Sequence, residues 1–227
     1  MRIREDDELR KALVEDLKKR FAPRGGIHLT DLIFCLRKSF FAKTQPEELT
    51  EEQILLYTTG LGWQDKLPLP NPGQVFEEDD IRFSPDGWVE KEDGRVFIEV
   101  KSTRARTRDP QEMKHWVDQL KGYCALGRAR EGVLVALHLM GDYRNRKAEL
   151  KVHRFEFEEE ELEEMREYLR KRREALERAL ESGEAPPPEP SYEWECNYCA
   201  YKDLCKEARE HEETQKEGEK KHEGQDL

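Results

Sequence analysis

Ser84-Pro85-Asp86-Gly87-Trp88-Val89-Glu90-Lys91-Glu92-Asp93-Gly94-Arg95-Val96-Phe97-Ile98-Glu99-Val100-Lys101 is the stretch whose reading organises the chain. Apolar residues on either side of Asp93-Gly94 predict two antiparallel strands joined by a tight turn. Residues two apart on a strand project to one face, so Glu99 and Lys101 point together while Val100 points into the core. The hairpin brings Asp86 beside them. Two carboxylates and an ammonium at one spot suit phosphodiester hydrolysis. Asp86 and Glu99 would hold Mg²⁺ or Mn²⁺, with the Val100 carbonyl as a further hard oxygen, and Lys101 would orient a water or offset developing charge. Taken singly, Pro-Asp-Gly is an ordinary turn and Glu-x-Lys occurs on many solvated strands, so the reading needs support from the rest of the chain.

Upstream, Leu9, Leu13, Leu17 and Phe21 recur every four residues over 7–21, and Thr30 precedes Leu32, Ile33, Cys35, Leu36 and Phe40. Both segments predict amphipathic helices. Thr50 and Gln53 make a capping box for a third helix, which ends before Pro68. Gln74–Phe83 reads as one further strand, antiparallel to the hairpin. Downstream, Asp109 as N-cap, Pro110 as first residue and Glu112 predict a helix that ends at Gly127. The run 131–140 suits a buried central strand, 149–157 an alternating strand, and a helix of about 25 residues follows from 158. The proline-rich stretch 185–192 is an extended linker, and the charged residues from 209 suit disorder.

The chain has 227 residues, 36% hydrophobic and 40% charged, with a mean hydropathy of −1.00. No apolar run approaches the ~20 residues of a membrane span, and the charged start is unlike a signal peptide, so the expected location is cytoplasmic. The net charge of −11 weighs against nucleic acid as partner, yet residues 101–130 carry eight basic side chains against three acidic ones. Arg104, Arg106 and Arg108 leave the strand that bears Lys101 and could follow a DNA backbone into the site; a solvated basic loop is the plainer reading.

Five cysteines in a chain with no secretion signal favour metal ligation over disulfides. Cys196, Cys199 and Cys205 fall within ten residues. With Cys35 they could hold Zn²⁺ or an iron-sulfur cluster, which spacing does not separate. Cys35 could equally be a core residue. Cys124, on an apolar helical stripe, reads as a buried free thiol.

Gln119 and Tyr123 lie one turn apart on the predicted helix, flanking that stripe. The order of hairpin with Asp86, then Glu99-Val100-Lys101, then Gln119-xxx-Tyr123 resembles the RecB-like branch of the PD-(D/E)XK nucleases, where that helix supports the site. With Thr30-x4-Cys35 and the terminal cysteines added, residues 28–205 resemble the fourth CRISPR-associated protein family. The resemblance implies catalysis by Asp86, Glu99, Lys101, Gln119 and Tyr123. It also implies a [4Fe-4S] cluster, with [2Fe-2S] as a variant, on Cys35, Cys196, Cys199 and Cys205. The implied activity is 5′-to-3′ cleavage of single-stranded DNA from its ends, trimming spacer precursors beside the CRISPR integrase complex. One position departs from the family pattern: Gln64 stands where a metal-ligating histidine is usual. A neutral amide is the weaker ligand, and Asp65 or His28 are substitutes to consider, although His28 reads more simply as a surface residue.

The expected fold is therefore a restriction-endonuclease-like α/β core with a central mixed sheet flanked by helices, its N- and C-terminal segments clasped by the four-cysteine site. The expected organisation is a helical segment over 1–73, a nuclease core over 74–184, a linker and cysteine cluster over 185–208, and a tail over 209–227. Two other readings stay open: a zinc-stapled nucleic-acid-binding or adaptor protein with a weakened site, and a RecB-like repair or viral nuclease unrelated to CRISPR.

Overall fold

The computed structural model describes residues 6–22, 24–104, 109–139 and 148–208. They form two compact units, one running up to Leu29 together with Glu48–Tyr168, the other Thr30–Glu47 together with the residues from Leu169 onward. Among the described residues no helix is long and apolar enough to cross a membrane.

Helix α1 (Asp7–Lys18) is capped by Asp6, whose carboxylate accepts the Leu9 N–H, and a short 3-10 turn extends it to Phe21. After strand β1 (Ile27–His28), the single helix expected from Thr30 is instead two, α2 (Leu29–Ile33) and α3 (Leu36–Thr44). Cys35, with φ −52° and ψ 120°, caps α3 rather than lying within a helix. Helix α4 (Glu51–Lys66) begins at the expected capping box, with both Thr50 and Gln53 side chains bonded to backbone N–H groups.

The segment read as one strand over 74–83 is a hairpin of its own, β2 (Phe76–Glu78) and β3 (Ile81–Phe83). Asp79 and Asp80 turn it with φ of 51° and 56°. Two successive left-handed residues make the turn that matches strand twist, and aspartate tolerates that conformation better than most side chains. β3 also pairs in parallel with β1, giving a separate sheet of order β1-β3-β2. The expected set of three antiparallel strands is therefore four strands in two sheets.

The second sheet has order β4-β5-β6-β7, with β4 (Gly87–Lys91), β5 (Gly94–Thr103), β6 (Glu131–His138) and β7 (Glu149–Glu156). β5 and β6 are parallel and the outer pairs antiparallel, so the sheet is mixed, as expected. One face of β5 carries Val96, Ile98 and Val100, which pack with Val133, Val135, Val89, Leu67 and Leu69. The opposite face carries Phe97, Glu99 and Lys101 and meets helix α5 (Lys114–Gly127).

α5 departs from its predicted ends at both termini. It opens through a 3-10 turn over Pro110–Met113, directly after Asp109, and the α-helical part begins only at Lys114, behind Met113, which makes no side-chain capping bond. At the other end Arg128 takes the left-handed cap with φ 54° while Gly127 remains helical. Gly127 serves packing: a Cβ there would stand 2.2 Å from the Phe97 ring. Helix α6 (Glu159–Ser182) follows β7 as expected. In the second unit Leu32, Ile33, Phe40, Phe41, Leu169 and Leu176 are buried, and Arg172 on α6 donates to the carbonyls of Leu32 and Phe34.

Candidate active site and cysteine cavity

β4 pairs with β5 only as far as Gly87↔Ile98. Gly87 is required there because the Pro70 carbonyl lies 2.9 Å from where a Cβ would be. Beyond Ile98 the exposed edge of β5 finds a side chain in place of a strand: the Val100 N–H donates to Asp86 Oδ2 at 2.7 Å. This contact draws Asp86 to Glu99. The N–H and carbonyl of one strand residue leave by the same edge, so the Val100 carbonyl faces the same space.

Glu99 is 2% exposed. Its Oε1 lies 2.6 Å from Lys101 Nζ, while its buried Oε2 receives no hydrogen bond among the described residues. Lys101 Nζ donates to Gln119 Oε1 at 2.9 Å, Gln119 Nε2 donates to the Tyr123 hydroxyl at 2.6 Å, and that hydroxyl donates to the Ser84 carbonyl at 3.3 Å. The chain of bonds therefore starts on β5, crosses to α5 and returns to the segment just before Asp86. Tyr123 also stacks on Phe83, with ring centroids 6.0 Å apart.

Burial and then the neighbouring Glu99 charge push the Asp86 carboxyl from 3.8 up to about 7, against the opposing pull of the Val100 N–H and Lys101. Burial and the same charge hold the Tyr123 hydroxyl well above its ordinary range. Two carboxyl groups crowded until one prefers its proton, with one buried oxygen lacking a donor, are what a cation between them would relieve. The residues present thus fit a hard divalent ion held by Asp86, Glu99 and a backbone oxygen.

The other expected ligands stand differently. Gln64 is half-buried on α4, and no hydrogen bond ties it to Asp86 or Glu99 among the described residues. Asp65 is engaged elsewhere, 2.7 Å from Arg20. His28 is buried on β1, not on the surface as expected, with its Nε2 3.1 Å from the Gly25 carbonyl. Arg104 is exposed and lines a groove of 470 Å³ with Leu55, Leu56, Thr59, Glu51 and Glu52. Arg106 and Arg108 lie outside the described residues. Sequence reasoning gave no role to His115, yet it occupies the same stripe of α5 as Gln119 and Tyr123, and its spacing of four from Gln119 was the available signal.

The four cysteines Cys35, Cys196, Cys199 and Cys205 line one cavity of 460 Å³ within the second unit, with Lys38 and Tyr201. Glu195, buried, holds the two segments together: its Oε2 accepts the Cys35 N–H at 2.8 Å and its Oε1 the Tyr192 N–H at 2.9 Å. Phe34 packs edge-on against Tyr192 and Trp194, and Tyr201 stacks on Phe41. Cys199 is within electrostatic reach of Cys35 and Cys205; burial, first, raises its thiol. Among the described residues no three His, Cys, Asp or Glu side chains are arranged to grip one ion, so the clasp seen here is made by Glu195 and the aromatic contacts. As a donor set, soft thiols around one cavity fit zinc or an iron-sulfur cluster rather than a hard ion. The basic residues beside Cys35 are largely absorbed internally: Arg37 is buried, Lys43 lies 2.8 Å from Asp31 and Lys38 sits over the Phe34 ring. Cys124 is the expected free buried thiol, pushed by burial up to about 12.

Comparison with known proteins places this arrangement. Residues 40–206 match the PD-(D/E)XK nuclease superfamily. No curated protein matches the chain. Among solved structures, the crystal structure of SSO0001 is similar at a TM-score of 0.60 and 19% identity, covering 87% of this chain and 96% of its own. An alkaline exonuclease (LHK-Exo) from Laribacter hongkongensis aligns at a TM-score of 0.49 and 12% identity, covering 74% and 95%. A phage related exonuclease from Haemophilus somnus 129PT aligns at 0.39 and 15%, covering 78% and 85%. Identities this low speak to fold, and only the first of the three is close enough to carry even that. The family match is of another kind, because it takes in the greater part of the chain, from α3 to the C-terminal cysteines: the chain belongs to the PD-(D/E)XK nuclease superfamily.

Proposed function

We propose that this protein is a metal-dependent exonuclease that shortens single-stranded DNA from its ends, in the 5′-to-3′ direction, in the cytoplasm. The observation that carries the reading is the crowding of Asp86 against Glu99, with Glu99 Oε2 buried and lacking a donor among the described residues. Asp86, Glu99 and the Val100 carbonyl hold Mg²⁺ or Mn²⁺, which when bound polarises a phosphate and acidifies a water. Lys101, fixed between Glu99 and Gln119, meets the negative charge that grows on the phosphate. Gln119 and Tyr123 position Lys101, and Arg104, with Arg106 and Arg108, guides the backbone of the strand. Gln64 is a weak further ligand.

In this reading the four cysteines carry a [4Fe-4S] cluster, with [2Fe-2S] or Zn²⁺ as alternative occupants. Four thiolates leave no open coordination position, so the group is structural. Its work would be to fix Thr30–Glu47 to the C-terminal segment. The biological role that fits the resemblance is trimming of DNA precursors for the CRISPR integrase complex. A nucleic-acid-binding adaptor is the second reading, favoured by the engagement of Asp65 with Arg20, which leaves neutral Gln64 as the candidate on α4. A RecB-like repair or viral nuclease is the third, and gene neighbourhood separates it from the first.

The test is degradation of end-labelled single-stranded DNA with Mn²⁺ or Mg²⁺ by the wild type and Glu99→Ala, with a visible spectrum of anaerobically purified protein. Metal-dependent shortening abolished in Glu99→Ala supports the nuclease, and the label position gives polarity. No cleavage by the wild type favours the adaptor. A colourless protein with stoichiometric zinc overturns the iron-sulfur assignment and leaves the nuclease intact.

A further inference from the structure

The cavity shared by the four cysteines has a cationic wall. Besides the thiols it is lined by Arg37, Lys38, Lys202 and Lys206, with Glu195 and Asp203 as its acidic groups. Glu195 is committed, because each of its oxygens accepts a backbone N–H, and Asp203 is exposed to water. In a chain of net charge −11, cations gathered around one cavity of soft ligands call for an anionic occupant. Lys38 is the clearest case. It lies one turn past Cys35 and is half-buried, with its Nζ 5.4 Å from the centre of the Phe34 ring. Tyr192 and Trp194 hold that ring in place. Among the described residues Lys38 makes no hydrogen bond or ion pair, so no carboxylate neutralises it. Its charge is felt at Cys199, where it opposes the effect of burial on the thiol. Lys202, exposed, stands three residues after Cys199 and shares a helical face with Cys205.

Resting on the assignment of an iron-sulfur cluster to this cavity, we infer that Lys38, with Lys202 as its weaker partner, offsets the negative charge of the cluster and so raises its reduction potential. With four thiolates an oxidised [4Fe-4S] cluster is a dianion and the reduced one a trianion, so a nearby ammonium favours the reduced form. One electron enters and no bond forms or breaks; dithionite supplies that electron in the test below. Full thiolate coordination keeps a substrate from the iron but does not bar an electron. Water and salt screen the half-buried Lys38 less than the exposed Lys202, so Lys38 has the larger effect. Zinc, which has no redox chemistry, would draw no such response.

The experiment is a spectroelectrochemical titration with dithionite of the full chain, purified anaerobically, comparing wild type, Lys38→Gln, Lys38→Arg and Lys202→Gln, with iron and sulfide measured in each. At a fixed potential Lys38→Gln should lower the ratio of reduced to oxidised cluster about tenfold, a shift of ~59 mV for a one-electron couple. Lys38→Arg, which keeps the charge, should stay within about twofold of wild type, and Lys202→Gln should shift the ratio about two- to threefold in the same direction as Lys38→Gln. A Lys38→Gln protein that holds its iron and titrates as the wild type overturns the inference, and so does a Lys38→Arg protein that behaves as Lys38→Gln. If Lys38→Gln loses its iron, Lys202→Gln decides, and a wild-type titration there overturns the inference. All these outcomes leave the cluster standing. A colourless wild type holding zinc removes the cluster reading and this inference with it, and leaves the nuclease untouched.

Discussion

The Lys101 ammonium donates to the side-chain oxygen of Gln119 at 2.9 Å, so the lysine on β5 is held by a residue from α5, eighteen positions along the chain. Without that bond Lys101 retains, among the described residues, its contact to Glu99 at 2.6 Å, which leaves the direction of its remaining donors unfixed. Gln119→Ala should therefore lower the rate of a single turnover by about ten- to a hundredfold, the usual cost of removing a residue that orients an active-site group. Rapid-quench measurement at saturating Mn²⁺ checks this, and Gln119→Glu should not behave as wild type, because it places a third carboxylate near Asp86 and Glu99.

The raised Asp86 carboxyl sets a pH dependence of stability in the metal-free protein. A carboxyl at about 7 in the folded chain against 3.8 ordinarily means that the folded state holds this proton more tightly. Its contribution is complete below the lower value and is lost as pH rises through the upper one. Melting in a chelator should thus show the melting temperature declining between pH ~5 and ~8. Asp86→Asn should flatten that slope, and so should Mn²⁺ with the wild-type side chain.

Gly127→Ala tests the packing of α5 on the sheet. The added methyl would stand 2.2 and 2.3 Å from two atoms of the Phe97 ring, just after a helical turn, Tyr123 to Leu126, that is buried. Overpacking of this kind costs ~1–3 kcal/mol, which chemical denaturation would register as a lower midpoint. A midpoint equal to wild type would mean that Phe97 swings aside without cost.

Glu195→Ala tests the clasp around the cysteine cavity. It removes the acceptor of two N–H groups, those of Cys35 and Tyr192, from a buried position. Each donor left without a partner costs ~1–3 kcal/mol, so the region 190–205 should become a site of limited proteolysis. Glu195→Gln, which retains one acceptor oxygen, should be cut more slowly than Glu195→Ala.

Much of the architecture is local chemistry and was legible as such. The capping box of α4 depends on residues three apart, the shared face of Glu99 and Lys101 on the two-residue pleat, and the β4–β5 hairpin on the apolar residues either side of Asp93-Gly94. The hidden turn at Asp79-Asp80 was not legible, because it contains no glycine and its left-handed backbone is stabilised only once β3 finds β1. Nor was the break at Cys35, where the backbone N–H is claimed by Glu195, 160 residues away.

The amino-acid sequence by itself determined which side chains could share a face, where α4 begins and that β4 and β5 form a hairpin, since these depend on bond geometry over a few residues. Only the tertiary structure decided which candidates stand together. It brought Asp86 to the Val100 N–H, bound Gln119 to Lys101, diverted Asp65 to Arg20 and made Gly127 a seat for Phe97. Those outcomes turn on which long-range partner wins a buried hydrogen bond or an available space, a competition that no local pattern records.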